Sequence, residues 1–148
     1  MSPTVAIARA WLGTPYVHQA SVRGAGTDCL GLVRGIWRDL YGTEPEAVPA
    51  YSRDWAEPQG QEVLAEAAGR HLIPVPRDRA HRSGELLLFR MRDTGIAKHL
   101  GIVGHADERP TFIHAYSGHG VVETSLSAPW IRRIAARFDF PPIPSAET

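Results

Sequence analysis

The hydrophobic period of this chain changes at Pro74-Val75-Pro76. Before that break, apolar residues recur at helical spacing. After it, they fall in short runs separated by Gly, Asp, Pro and Ser. Helices first and strands afterwards predict an α+β domain, in which N-terminal helices pack on a central antiparallel β-sheet. A length of 148 residues suits one such domain, expected over residues 1–140, with residues 141–148 as a C-terminal tail.

Ser2 and Pro3 read as an N-cap and first helical residue. Val5, Ile7, Ala8, Trp11 and Leu12 then predict a short helix stopped at Gly13. Residues 14–27, rich in Pro, Gly and Ser, predict an ordered loop. A second helix is expected from Cys29 to Tyr41, with Leu30, Val33, Ile36, Trp37, Leu40 and Tyr41 on its apolar face and Gly42 ending it. Prolines at 45, 49 and 58 predict an irregular segment. A third helix is expected over Gln61–His71, with Val63, Leu64, Ala67 and Ala68 inward. Expected strands are Glu85–Arg90, His99–His105, Thr111–Tyr116, Val121–Thr124 and Arg133–Phe138.

Sixteen basic residues balance sixteen acidic ones, so there is no electrostatic case for nucleic acid or an anionic membrane surface as a partner. No apolar run approaches the roughly 20 residues of a membrane span. The start, MSPTVAIARAWLG, has no basic segment, long apolar stretch or cleavage site. The expectation is synthesis in the cytoplasm without a signal peptide, with any work outside reached by another route. A lone cysteine excludes an internal disulfide.

That cysteine, Cys29, stands at the predicted start of the second helix, and His99 and His114 stand on predicted strands far downstream. A thiol nucleophile needs a base to take and return its proton and a third group to hold that base. Two neighbouring antiparallel strands bring two imidazoles side by side. Thr27 or Asp28 as helix cap, the positive end of the helix dipole and a nearby imidazole all predict a thiol pKa below its usual value of about 8.5. His105 and His119 read as rim residues, and His71 and His81 suggest no mechanism. Histidines at 99, 105, 114 and 119 also raise zinc, but no HExxH pattern is present and no metal or cofactor is expected. The four tryptophans read as core and interface anchors.

Five segments in order resemble the NlpC-type cysteine peptidases, a papain-like family that cleaves bacterial cell-wall peptides. Leu12-Gly13-Thr14-Pro15-Tyr16 is similar to its G-T-P-Y segment, and Asp28-Cys29-Leu30-Gly31-Leu32-Val33 to its D-C-S-G-L-V motif. Gly84-Glu85-Leu86-Leu87-Leu88-Phe89 resembles G-D-L-V-F-F, His99-Leu100-Gly101-Ile102-Val103 resembles H-V-G-I-Y, and Phe112-Ile113-His114-Ala115 resembles F-I-H-A. The resemblance implies a papain-like fold with Cys29 as nucleophile, His99 as general base and His114 as the group orienting it. It implies that Tyr16 lines the site beside the cysteine. Asp28 and His18 are expected to contribute to substrate binding or the oxyanion site, together with the Cys29 backbone N–H. Arg23, His18 and Lys98 are the nearest positive groups in sequence for an acidic peptide. Two departures stand out: the family's Tyr-x-Trp-Gly-Gly is Tyr16-Val17-His18-Gln19-Ala20 here, and the serine after the cysteine is Leu30.

Pro49-Ala50-Tyr51-Ser52-Arg53-Asp54-Trp55 resembles a segment of the compact versions encoded with phage tails and gene-transfer particles. That implies a tail hub or baseplate as partner and delivery of the enzyme to the periplasm and wall by the particle. The implied substrate is the peptidoglycan stem peptide, cut between D-glutamate and the diamino acid. A structural tail component with weak activity, and a thiol amidase or acyltransferase on the same fold, are the alternative readings.

Overall fold

Ser2 Oγ accepts the Val5 N–H, and Pro3 opens α1 (Pro3–Ala10). The helix ends a turn before Gly13, because Trp11 turns inward as its C-cap and leaves Leu12 exposed. The computed structural model describes residues 2–45, 63–91 and 97–143. The Pro49–Trp55 segment, Gln61, Glu62 and the last five residues lie outside them.

The loop after α1 contains two short strands not anticipated from composition, β1 (Ser21–Val22) and β2 (Gly26–Thr27), paired antiparallel. Helix α2 spans Cys29–Tyr41 as expected, because both of its ends are locally specified. Asp28 caps the start, and Gly42 at φ +90° closes the end. Its most buried face differs from the expected one. Cys29, Gly31, Leu32, Gly35 and Ile36 face inward, whereas Leu30, Val33, Trp37 and Leu40 are only half-buried. Close packing decides this. A Cβ on Gly35 would strike the Trp11 ring, and one on Gly31 would strike the Ala20 carbonyl. Helix α3 (Val63–His71) buries Leu64 and Ala68, with Ala67 half-buried.

The sheet comprises β3 (Ile73–Pro74), β4 (Leu86–Arg90), β5 (Ala97–Val103), β6 (Thr111–Tyr116), β7 (Gly120–Ser125) and β8 (Ile134–Asp139). Its order is β3-β8-β4-β5-β6-β7, and each neighbouring pair runs antiparallel. The predicted breaker is therefore also the edge strand β3, a position that tolerates Pro74 because its missing N–H faces no neighbour. The first predicted strand begins one residue late, since Glu85 turns into an ion cluster. His105 falls beyond the end of β5. A short helix, α4 (Ala128–Ile131), precedes β8 and was not anticipated.

Alternation along the strands divides two cores. Leu86, Leu88, Leu100, Ile102, Ile113 and Ala115 meet Val5, Ala8, Leu32 and Ile36 of the helices. Leu87, Phe89, Val103 and Phe112 form the opposite face with Leu126 and Trp130. Tyr41 Oη donates to the Pro141 carbonyl, which ties the second residue after β8 to α2.

Candidate active site

The geometry of the site begins where a ladder ends. β5 and β6 pair at Ile102–Ile113 and Val103–Phe112, and the ladder has ended before His99 is reached. On the other side of β5, Phe89 pairs with His99 but Arg90 pairs with Ala97, so Lys98 is an extra, bulged residue. The bulge turns the Lys98 carbonyl toward α2, where the Cys29 Sγ–H donates to it at 3.7 Å. An open cleft of about 180 Å³ lies at this gap, lined by residues that include Tyr16, His18, Asp28, Cys29, Lys98 and His99. Thus the helix N-terminus from one face and the first imidazole of β5 meet in one opening.

Asp28 holds the helix start. One carboxylate oxygen accepts the Gly31 N–H at 2.7 Å and the other the Gln19 N–H at 2.7 Å, with His18 Nδ1 3.8 Å away. Gln19 takes φ +66°, a left-handed conformation, at the position where the resembling families carry glycine. This strained residue directs its N–H at the cap. Asp28 is therefore a buried capping residue at 3% exposure as well as a wall of the cleft.

His99 Nε2 and His114 Nδ1 are 2.8 Å apart, and His114 Nε2 is 3.0 Å from Thr124 Oγ1 on β7. The Nε2 contact leaves His99 Nδ1 as the nitrogen available to a reacting thiol. His114 sits behind His99 rather than in the cleft wall, enclosed by Phe112, Tyr116 and Trp130. Phe89 and Trp130 also pack on His99.

This enclosure works against the expected low thiol pKa. Burial pushes the Cys29 thiol up to about 12, and the Asp28 carboxylate adds to the rise. Backbone N–H groups of Leu100, Leu30 and Cys29 face the sulfur and favour thiolate, but burial outweighs them. Burial also lowers His99 to about 4, and burial with the neighbouring His99 and His119 lowers His114 to about 3. No imidazolium is then present near neutral pH to attract a thiolate. The resting pair is a thiol and a neutral imidazole.

The structure thus brings Cys29, His99, Tyr16, Asp28, His18 and Lys98 to one cleft, with His114 hydrogen-bonded behind. Arg23 is exposed on the hairpin and is not part of the lining. His119 and His105 are exposed beyond strand ends as expected; the His119 ring stacks on Tyr116 at 5.3 Å, and His105 approaches Arg9. His81 bonds Glu85 and is not part of the lining. Sequence reasoning missed Thr124, Tyr116, Ser117, Met91 and the place of Trp130 behind both histidines. The period-two alternation of β6 and β7 was the available signal for Thr124, since it shares a face with His114.

The family model for the NlpC/P60 family matches residues 13–137. No curated protein gives a significant sequence match to the chain. Among solved structures, the NlpC/p60 domain of peptidoglycan hydrolase SagA is 24% identical with a TM-score of 0.58, over 95% of this chain and 100% of that one. An NLP/P60-family protein similar to lipoprotein from Staphylococcus aureus is 17% identical, TM-score 0.59, over 94% of this chain and 42% of that one. An NlpC/P60 family protein from Bacillus cereus is 19% identical, TM-score 0.62, over 96% and 40%. The chain therefore spans about two fifths of the length of the latter two. These likenesses establish a shared papain-like α+β fold.

Proposed function

The chain belongs to the NlpC/P60 family, and from that premise we propose that it is a cysteine peptidase acting on the stem peptides of bacterial peptidoglycan. The observation that carries the reading is the cleft shared by Cys29 and His99, with His99 Nε2 held 2.8 Å from His114 Nδ1.

Cys29 Sγ attacks an amide carbonyl while His99 Nδ1 takes the thiol proton, so the charged pair forms during attack and not before it. The Cys29 backbone N–H, at the start of α2, faces the sulfur and serves the developing oxyanion. His99 then protonates the leaving amine, leaving an acyl-thioester. A water molecule, deprotonated by His99, attacks that ester and releases the acid and the thiol. His114 holds the ring and shares the positive charge that His99 acquires.

The scissile bond of this reading is that between D-glutamate and the diamino acid at position three, and it rests on family resemblance. Lys98 and His18 beside the cysteine suit a substrate rich in carboxylates. Delivery by a phage-like tail, with action in the periplasm and wall, rests on the Pro49–Trp55 sequence alone. The test is digestion of purified muropeptides with mass-spectrometric identification of the fragments, with Cys29→Ala as control. Cleavage after D-glutamate is expected. Release of the intact stem peptide from the sugar identifies an amidase, and no cleavage by a folded protein favours the structural tail role.

A further inference from the structure

We propose that Thr124 is a positioning residue that sets the proton order of the histidine pair, its hydroxyl oxygen accepting the His114 Nε2–H so that His99 keeps Nδ1 free as a base. The inference rests on the reading of His99 as base, but its central observable requires no substrate.

The argument is one of hydrogen-bond direction. Each neutral imidazole carries a single N–H. If His114 carries it on Nε2, that N–H donates to Thr124 Oγ1 and Nδ1 accepts from His99 Nε2–H. His99 Nδ1 is then an empty lone pair, able to take a proton from Cys29. If His114 carries it on Nδ1, every bond reverses. His99 Nε2 becomes the acceptor, its own N–H moves to Nδ1, and the ring has nothing with which to accept the thiol proton. The 2.8 Å bond makes the two rings change together.

Position makes Thr124 the group at the end of this chain. It pairs with Phe112 across β6 and β7, on the same face as His114, which pairs with Val122. The His114 ring is 1% exposed, and Phe112, Tyr116 and Trp130 cover it. An N–H on Nε2 with no acceptor in such a place carries the cost of an unmade buried hydrogen bond. When His99 becomes an imidazolium it donates from both nitrogens, which requires His114 Nδ1 as acceptor and therefore Nε2–H toward Thr124. A hydroxyl can accept or donate and so can serve either resting tautomer, but the form of the pair that follows proton transfer is served only when it accepts from His114 Nε2–H.

The experiment records long-range nitrogen–proton NMR spectra of the imidazoles at neutral pH, then kcat and KM on muropeptides, for the wild type, Thr124→Ser and Thr124→Val. The wild type and Thr124→Ser should show His114 as the Nε2–H tautomer. Thr124→Val should shift it toward Nδ1–H and lower kcat by about tenfold to a hundredfold, with KM little changed, the scale seen when the partner behind an oriented histidine is removed. Thr124→Ser should recover most of that loss. An Nδ1–H tautomer in the wild type, an unchanged tautomer in Thr124→Val, or a serine variant as impaired as the valine variant overturns the proposal. A wild type inactive on muropeptides that still shows the tautomer switch refutes the proposed substrate and leaves the role of Thr124 standing.

Discussion

At the foot of β4, Glu85 is completely enclosed and charged; at the head of β5, His99 is almost as enclosed and neutral. Arg137 donates to both Glu85 oxygens at 2.8 and 2.9 Å, and Arg79 and His81 add bonds at 3.2 and 2.9 Å. Burial acts to raise the Glu85 pKa, but these bonds and charges outweigh it and hold the carboxyl below its usual range. Among the described residues the histidine pair has no such counter-ion. Its neighbours are each other, a hydroxyl and aromatic rings, so burial lowers both imidazoles, and the nearby His99 and His119 lower His114 further. A fork of opposite charge makes a buried ion structural. Its absence leaves a buried base deprotonated and ready to accept a proton.

The largest expected effects separate the two clusters by what each one does. Cys29→Ala and His99→Ala should each lower peptidase activity on the order of 10⁴-fold or more, with circular dichroism unchanged and a modest drop in melting temperature for His99→Ala, which strands His114 Nδ1. An active variant of either kind refutes the catalytic assignment. Glu85→Ala should instead cost about 3–5 kcal/mol of stability in urea titration, because it strands Arg137, 8% exposed, without its partner. A loss below about 1 kcal/mol, the scale of an exposed ion pair, would show that Arg137 escapes to solvent.

Acid should separate them by pH window. Folded His99 and His114 lie at about 4 and 3 against 6.5 in the unfolded chain, so on acidification the unfolded state binds protons first. Their contribution is complete above pH 6.5 and falls below it, by about 1.4 kcal/mol per pH unit for each imidazole. The lowered Glu85 acts in the same sense, but only below its unfolded value of 4.5. Urea unfolding at pH 7.5, 6 and 5 should therefore show a decline that His114→Gln makes shallower. A decline unaffected by that substitution would place the sensitivity elsewhere.

The smallest effect concerns the thiol. Iodoacetamide alkylation of Cys29 should keep accelerating well above pH 9, since the buried thiol lies near 12. Asp28→Asn keeps an acceptor for the Gly31 N–H and removes the carboxylate charge, so its profile should move to lower pH. A wild-type rate already level at pH 7 would demonstrate a resting thiolate and reverse the comparison.

Local chemistry made much of this protein legible in its sequence. The ends of α2 follow from Asp28 and Gly42, and the limits of β6 from apolar alternation over Thr111–Tyr116. The motifs around Cys29, His99 and His114 pointed to the same residues that the fold gathers or links. Signals of this kind act over a few residues, through caps, turns and the periods of 3.6 and 2. Other features depended on contacts across the chain. The buried face of α2 followed its glycines because Trp11 and Ala20 press there. The Pro74 breaker became a strand because the β8 edge was free to receive it. Above all, the protonation of the site was decided in three dimensions. Sequence placed a thiol at a helix start and two histidines on strands, which taken locally favours a thiolate. Only the assembled structure supplied the aromatic enclosure, the bulged Lys98, 69 residues from Cys29, and the Thr124 hydroxyl. Desolvation is a property of everything that surrounds a group, and most of those surroundings come from distant parts of the chain.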